Sequence, residues 1–137
     1  MKVVPDTMLW VSYCTLRDGY RHRLIERARR RRVRFFVSEH ILQELADTLS
    51  EDLGRSRRYV WLARRAVLRI ARLVELPPHT PRYVPGDPND DPIIQTALAA
   101  RVHYLITADR ELLKLKKIHS VEIVTAQTFY ELLGSQG

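Results

Sequence analysis

The sequence predicts an α/β fold: one domain over residues 1–137, with a central parallel β-sheet of about four to five strands flanked by helices on both faces. Three observations predict it. Short β-branched and aromatic runs alternate with longer stretches of helical period, as in parallel strands joined by helical crossovers. Acidic residues recur where strands end or helices begin, at Asp6, Asp91 and Asp109. The segment PPHTPRYVPGDP holds five prolines and a glycine, but both sides of it are needed to complete one sheet. It reads as a loop, not a domain linker.

The elements follow in order. Val3-Val4 opens a strand that must end near Pro5, since proline is unwelcome inside a central strand. Asp6 and Thr7 then stand at its C-terminal tip, and Asp6 is a natural cap for the segment that follows. Leu24, Ile25 and Ala28 mark a helix over Tyr20 to Arg30. It runs into Arg27, Arg29, Arg30, Arg31, Arg32 and Arg34, six arginines within eight residues. Basic charge late in a helix complements its dipole. This many exceeds what a helix end needs and points to a phosphate-binding patch. Val33 to Val37 is the second strand, and Ser38 is the N-cap of a helix from Glu39 to about Glu51. Ile41, Leu42, Leu45, Ala46 and Leu49 form its apolar stripe. Glu44 lies off that stripe, as do Asp47 and Glu51, and periodicity does not separate the three.

A long amphipathic helix is expected from about Arg57 to Val74, on Val60, Ala63, Val67, Ile70, Ala71 and Val74. Leu73 to Leu76 is an alternative start for a short strand. Asp91 precedes Pro92, which suits the first helical position, so Asp91 reads as the N-cap of a helix from Ile93 to Val102. His103 to Ile106 is a strand, and Thr107-Ala108-Asp109 opens a further helix. Val121 to Val124 is the last strand, followed by Thr125 as an N-cap and a terminal helix through Phe129, Leu132 and Leu133.

Composition narrows the function. A chain of 137 residues with 45% apolar content can bury a proper core. No apolar run approaches a membrane span, and no basic-then-apolar leader pattern stands at the N-terminus, so the expected location is the cytoplasm. Cys14 is alone, which excludes an internal disulfide and a cysteine zinc site. The five histidines have no metal-binding helical spacing. The net charge of +7 favours a polyanionic partner.

In a parallel sheet, ligands bind beyond the carboxyl ends of the strands. Asp6 and Asp109 fall on that edge, and Asp91 opens a helix near it. Carboxylates gathered on one rim repel unless a cation sits among them. Magnesium or manganese takes oxygen ligands of this kind and keeps several waters. Such an ion activates water and stabilises charge on a phosphodiester. A basic surface around an acidic metal site is what a nuclease requires.

These residues resemble the PIN-domain ribonucleases, particularly the VapC-type toxins of toxin–antitoxin pairs. The resemblance rests on Asp6-Thr7 after the first strand, Ser38-x5-Glu44, Asp91-x2-Ile94-x2-Ala97 and Leu105-Ile106-Thr107-x-Asp109-x2-Leu112, with VEIVTAQTFYELL as the closing strand and helix. It implies a single PIN-like nuclease domain and a magnesium- or manganese-dependent endoribonuclease, with Asp6, Glu44, Asp91 and Asp109 as catalytic metal ligands. It also raises Glu44 above Asp47 and Glu51. The partners it implies are an RNA substrate, a cognate antitoxin protein, and further copies of the chain in a homodimer or higher oligomer. The sequence departs from the pattern at Met8, where such proteins commonly carry Asn. Met8 supports one alternative, a weakly active or inactive module of the same fold that binds RNA or an antitoxin. Asp87 and Asp90 are candidate outer ligands. A haloacid-dehalogenase phosphatase would need an acid where Met8 stands. A response-regulator receiver would need its acidic pair earlier than Asp90-Asp91.

Overall fold

The computed structural model describes residues 1–77 and 91–135. Six strands form one sheet in the order β3-β2-β1-β4-β6-β5. They are β1 Lys2–Pro5, β2 Arg34–Val37, β3 Ala71–Leu73, β4 Tyr104–Ile106, β5 Lys117–Ile118 and β6 Val121–Val124. The sheet is parallel apart from β5, which runs antiparallel to β6. The α-helices among the described residues are α1 Thr7–Thr15, α2 Tyr20–Arg30, α3 Glu39–Asp47, α4 Arg57–Ile70, α5 Pro92–Ala100, α6 Arg110–Leu113 and α7 Ala126–Ser135. A π-helical stretch, Thr48–Asp52, extends α3. None of these helices is long and apolar enough to cross a membrane.

The central strands are covered on both faces, and this explains why β1, β2 and β4 read as nearly continuous apolar runs. Val3 and Val4 point to opposite faces, as do Phe35 and Phe36, and all four are buried. Trp10 of α1 packs edge-on against Phe35, with ring centroids 6.0 Å apart, while α5 lies along β2, β1 and β4. Pro5 is the last residue of β1, so its missing N–H falls where the ladder stops.

The α/β class and the helix-flanked parallel sheet are as expected, with two differences. The sheet is wider by β5, a two-residue strand turned back by His119 at φ 51°. Two residues are too few to show any period. Helix α4 stops at Ile70 and not at Val74, and Ala71–Leu73 is already strand. Ala71 and Leu73 pair with Phe35 and Val37, so pairing along β2 overrides a helical spacing that fitted both readings.

A parallel sheet has two unlike edges. At the carboxyl edge the chain leaves β1, β2, β4 and β6 through Asp6, Ser38, Thr107 and Thr125. At the amino edge α2 and α5 end, and the β5–β6 turn enters β6.

Candidate active site

The residues that leave β1, β2, β4 and β6 at the carboxyl edge each accept a backbone N–H from the turn that follows. Asp6 Oδ1 takes the Leu9 N–H at 3.0 Å, Ser38 Oγ the Ile41 N–H at 3.4 Å, Thr107 Oγ1 the Asp109 N–H at 3.0 Å and Thr125 Oγ1 the Thr128 N–H at 3.1 Å. These bonds satisfy donors that a helix start leaves unpaired. They also fix the polar side chains in place along one rim.

Asp6 is the centre of the arrangement. It is only 8% exposed. The Thr107 hydroxyl donates to its Oδ2, while its Oδ1 serves as the α1 cap. Burial pushes its pKa up. Hydrogen bonds from Thr107 and from the Leu9 and Ala108 backbones work against that rise, and the charge of Asp109 adds to it. The result is a buried carboxylate with no cationic partner among the described residues.

Asp109 is exposed and caps α6 by accepting the Glu111 N–H on Oδ1 at 2.8 Å. Thr107 therefore joins the two acids, donating to Asp6 and accepting from the Asp109 backbone. Glu44 is half-exposed on α3, and its Oε1 accepts the Thr7 hydroxyl at 3.1 Å and lies 3.0 Å from His40 Nε2. Thr7 directly follows Asp6, so Glu44 is tied to the same turn. Asp47 instead accepts from Gln43 on its own helix, and Glu51 lies exposed in the π-helical stretch. Geometry thus separates Glu44 from the two acids that periodicity left equal.

Asp91 caps α5, with Oδ1 accepting the Ile93 N–H at 2.9 Å and Pro92 at the first helical position. Thr96, one turn into α5, meets the Ser38 hydroxyl at 2.8 Å and holds the start of α5 against the mouth of β2. Asp6, Asp91 and Asp109 share one habit. Each commits Oδ1 to a helix start, and among the described residues Oδ2 of Asp91 and Asp109 accepts no hydrogen bond. Thr7 and Thr107 are the linking residues that sequence reasoning did not assign to the site. Their signal was adjacency alone, Asp-Thr after one strand and Thr-x-Asp after another.

The donors are carboxylate and hydroxyl oxygens, which suit a hard divalent cation. Among the described residues no three His, Cys, Asp or Glu side chains converge closely enough to form a metal cage. Asp87 and Asp90 lie outside the described residues. What the rim presents is one buried carboxylate, electrostatically stressed, with an exposed acid beside it and two more acids on the adjoining helices.

A cleft of about 620 Å³ opens next to Asp6. Leu9, Ile106 and Leu113 give it apolar walls, and Tyr20, Arg21, Arg110 and Gln127 supply its polar groups. Met8 also lines it, 56% exposed. Asp6 does not depend on an amide at that position, since its donors are Thr107, Leu9 and Ala108. A second cleft of about 760 Å³ lies between α1, α2 and α4, away from the acids, lined by Tyr13, Cys14, Arg17, His22 and Tyr59 among others. Burial pushes the Cys14 thiol up to about 11, so it is no nucleophile near neutral pH.

The arginine cluster at 27–34 is not part of this rim. It closes α2 and enters β2, at the amino edge. Three of its members have partners within the fold. Arg27 lies over the Tyr130 ring at 5.0 Å, Arg29 pairs with Glu26 at 3.0 Å, and Arg31 donates to the Leu133 carbonyl. The cations lining the Asp6 cleft are Arg21 and Arg110 instead.

A family model described as PIN domain matches residues 2–111, a span that includes all four acids. No curated protein and no solved structure matches the chain significantly.

Proposed function

The chain belongs to the PIN-domain family, whose members are generally nucleases, and on that premise we propose that it is a metal-dependent endoribonuclease. The observation that carries this reading is Asp6, buried at the strand mouths with its pKa raised, coupled to Asp109 and opening onto a cleft. A stressed carboxylate in a cleft marks a candidate functional site, and a divalent cation would relieve the stress.

In this reading Asp6, Glu44, Asp91 and Asp109 hold magnesium or manganese, partly through water, because such ions keep much of their hydration. The bound ion would activate water and stabilise charge on the phosphodiester. The chain's own part is orientation. Thr107 positions Asp6 against Asp109, Thr7 positions Glu44, and the three helix starts fix the aspartates through Oδ1. Arg21 and Arg110, which line the cleft, would meet phosphates beside the scissile bond. Cleavage of an unstructured RNA with and without chelator tests the reading. Magnesium-dependent products from wild type and none from Asp6→Asn are expected, and equal cleavage by both proteins would overturn it.

The role we propose for this activity is that of a toxin in a type II toxin–antitoxin pair, in the cytoplasm, as a homodimer or higher oligomer. Residues 1–137 then form the single nuclease domain. Trp61, Leu62 and Leu68 support a protein partner, because they stand exposed on α4 where a solitary domain gains nothing from them. Co-purification with the product of a neighbouring small gene is the check.

A further inference from the structure

The non-glycine residues with positive φ among the described residues are Arg32, Arg101, Lys116 and His119, at 61°, 53°, 60° and 51°. Left-handed backbone is costly for a residue with a Cβ and free for glycine. Yet all four positions carry basic side-chain types. Arg32 and Arg101 end α2 and α5 in the same way. The Val33 N–H reaches back to the Ala28 carbonyl at 3.0 Å, and the Val102 N–H to the Ala97 carbonyl at 3.2 Å. This is the helix ending in which glycine is the usual left-handed residue.

Three of the four sit at strand mouths on the amino edge, with Arg32 before β2, Arg101 before β4 and His119 before β6, and β1 between β2 and β4. Between and beside them stand Lys2 and Arg34, which are register partners, and His103, whose Nδ1 accepts the Lys2 N–H at 3.0 Å. That bond leaves Nε2 of an exposed ring as a donor. Arg32, Arg34, Arg101, His103 and His119 are all exposed. Among the described residues none of the arginines at 30, 32, 34 and 101 forms an ion pair. Glu122 is the one acid on these turns and strand starts, and it lies in register with Lys117. The four mouths from β2 to β6 span about 14 Å, at about 4.8 Å per strand.

We propose that the amino edge is a second RNA-binding surface, on the far side of the sheet from the Asp6 cleft, that grips the phosphate backbone of a strand extending beyond the cleavage site. Basic residues at helix ends also complement the dipole. That favours a basic side chain at Arg32 and Arg101 but not in left-handed backbone, and it does not extend to His119 in a hairpin turn or to the row Arg34, Lys2 and His103. RNA is the ligand class because it is the substrate of the proposed activity, and to that extent the inference rests on the nuclease reading.

The test uses glycine, which suits the left-handed backbone and removes the charge. In Arg32→Gly/Arg101→Gly, binding of a long unstructured RNA is titrated against salt in chelator, where no cleavage occurs. The salt slope should fall by roughly 0.7 per lost phosphate contact, with the melting temperature unchanged or raised. Cleavage of a short oligonucleotide that cannot reach the amino edge should match wild type. A slope equal to wild type overturns the proposal. A lowered melting temperature with that same slope would assign the arginines to helix ends, and a loss confined to anionic vesicles would assign the edge to a membrane surface. If wild type cleaves nothing, the nuclease reading fails while the slope still decides the binding surface.

Discussion

At the carboxyl edge the chain leaves four strands through Asp6, Ser38, Thr107 and Thr125, each in ordinary backbone and each satisfying an N–H of the next turn. At the amino edge it enters three strands through Arg32, Arg101 and His119, each in left-handed backbone. One rim uses residues well suited to their local conformation, and their chemistry comes as an addition. The other holds residues poorly suited to theirs, so local conformation does not explain them. A capping aspartate is ambiguous, because it serves fold and function together. An arginine where glycine would fit better is harder to ascribe to the fold.

The sharpest way to break the contrast is to take charge from the carboxyl rim and keep its caps. Asn caps a helix about as well as Asp, so Asp6→Asn, Asp91→Asn and Asp109→Asn should each fold while losing magnesium-dependent RNA cleavage. Circular dichroism and a cleavage assay on the same samples check both halves. Full cleavage by all three variants would reduce these acids to caps.

Next comes the link between the acids. Thr107→Val keeps the shape of the side chain and removes the hydroxyl that donates to Asp6 Oδ2 and accepts the Asp109 N–H. A buried polar group left unsatisfied costs about 1–3 kcal/mol, so thermal melting should fall by several degrees. Cleavage should fall as well, with kcat affected more than KM because Asp6 loses its orientation. Thr125→Val lies on the same rim but touches no acid. It should cost about 1 kcal/mol as a lost cap and, since Thr125 lines the cleft without joining the acids, lower cleavage less than Thr107→Val does.

These residues also show what the sequence could and could not convey. Asp91 before Pro92 and Ser38 before Glu39 announce helix starts through local chemistry, and both were legible. Strands β1, β2, β4 and β6 were legible from apolar runs such as Phe35 to Val37, buried on both faces, whereas the short β3 and β5 were not. Glu44 was not legible from periodicity, since its selection depends on Thr7, 37 residues away in sequence. Thr107 carries nothing in its neighbourhood that foretells a bond to Asp6. The edge that the arginines at 27–34 occupy was hidden for the same reason. Their number is visible in sequence, but the edge they occupy depends on how α2 enters β2.

Magnesium gives a smaller effect and separates the edges without any substrate. At ten times its dissociation constant a ligand stabilises the native state by about 1.4 kcal/mol. Wild type should gain that in thermal melting, Asp91→Asn clearly less, and Arg32→Gly/Arg101→Gly the full amount. Equal gains in wild type and Asp91→Asn would place the metal elsewhere.

The smallest expected effect is the pH dependence of the metal-free protein, and its sign follows from Asp6. Burial and the neighbouring Asp109 charge raise its pKa in the folded state. Between the unfolded value, about 3.9, and the raised folded value, the native state holds a proton that the unfolded state has released. Unfolding then releases protons, so stability must fall as pH rises through that window. The contribution is fully present below the unfolded pKa and is lost above the folded one. Asp6→Asn cannot ionise and keeps an oxygen for the Leu9 N–H, so its stability should decline less with pH over the same range. Arg32→Gly/Arg101→Gly should follow wild type, because nothing at the amino edge contacts Asp6. Denaturant unfolding of the three proteins from pH 4 upward, in chelator, measures the difference. Parallel curves for wild type and Asp6→Asn would mean that the hydrogen bonds from Thr107, Leu9 and Ala108 fully offset the burial of Asp6. The carboxyl edge would then carry no electrostatic stress for a cation to relieve.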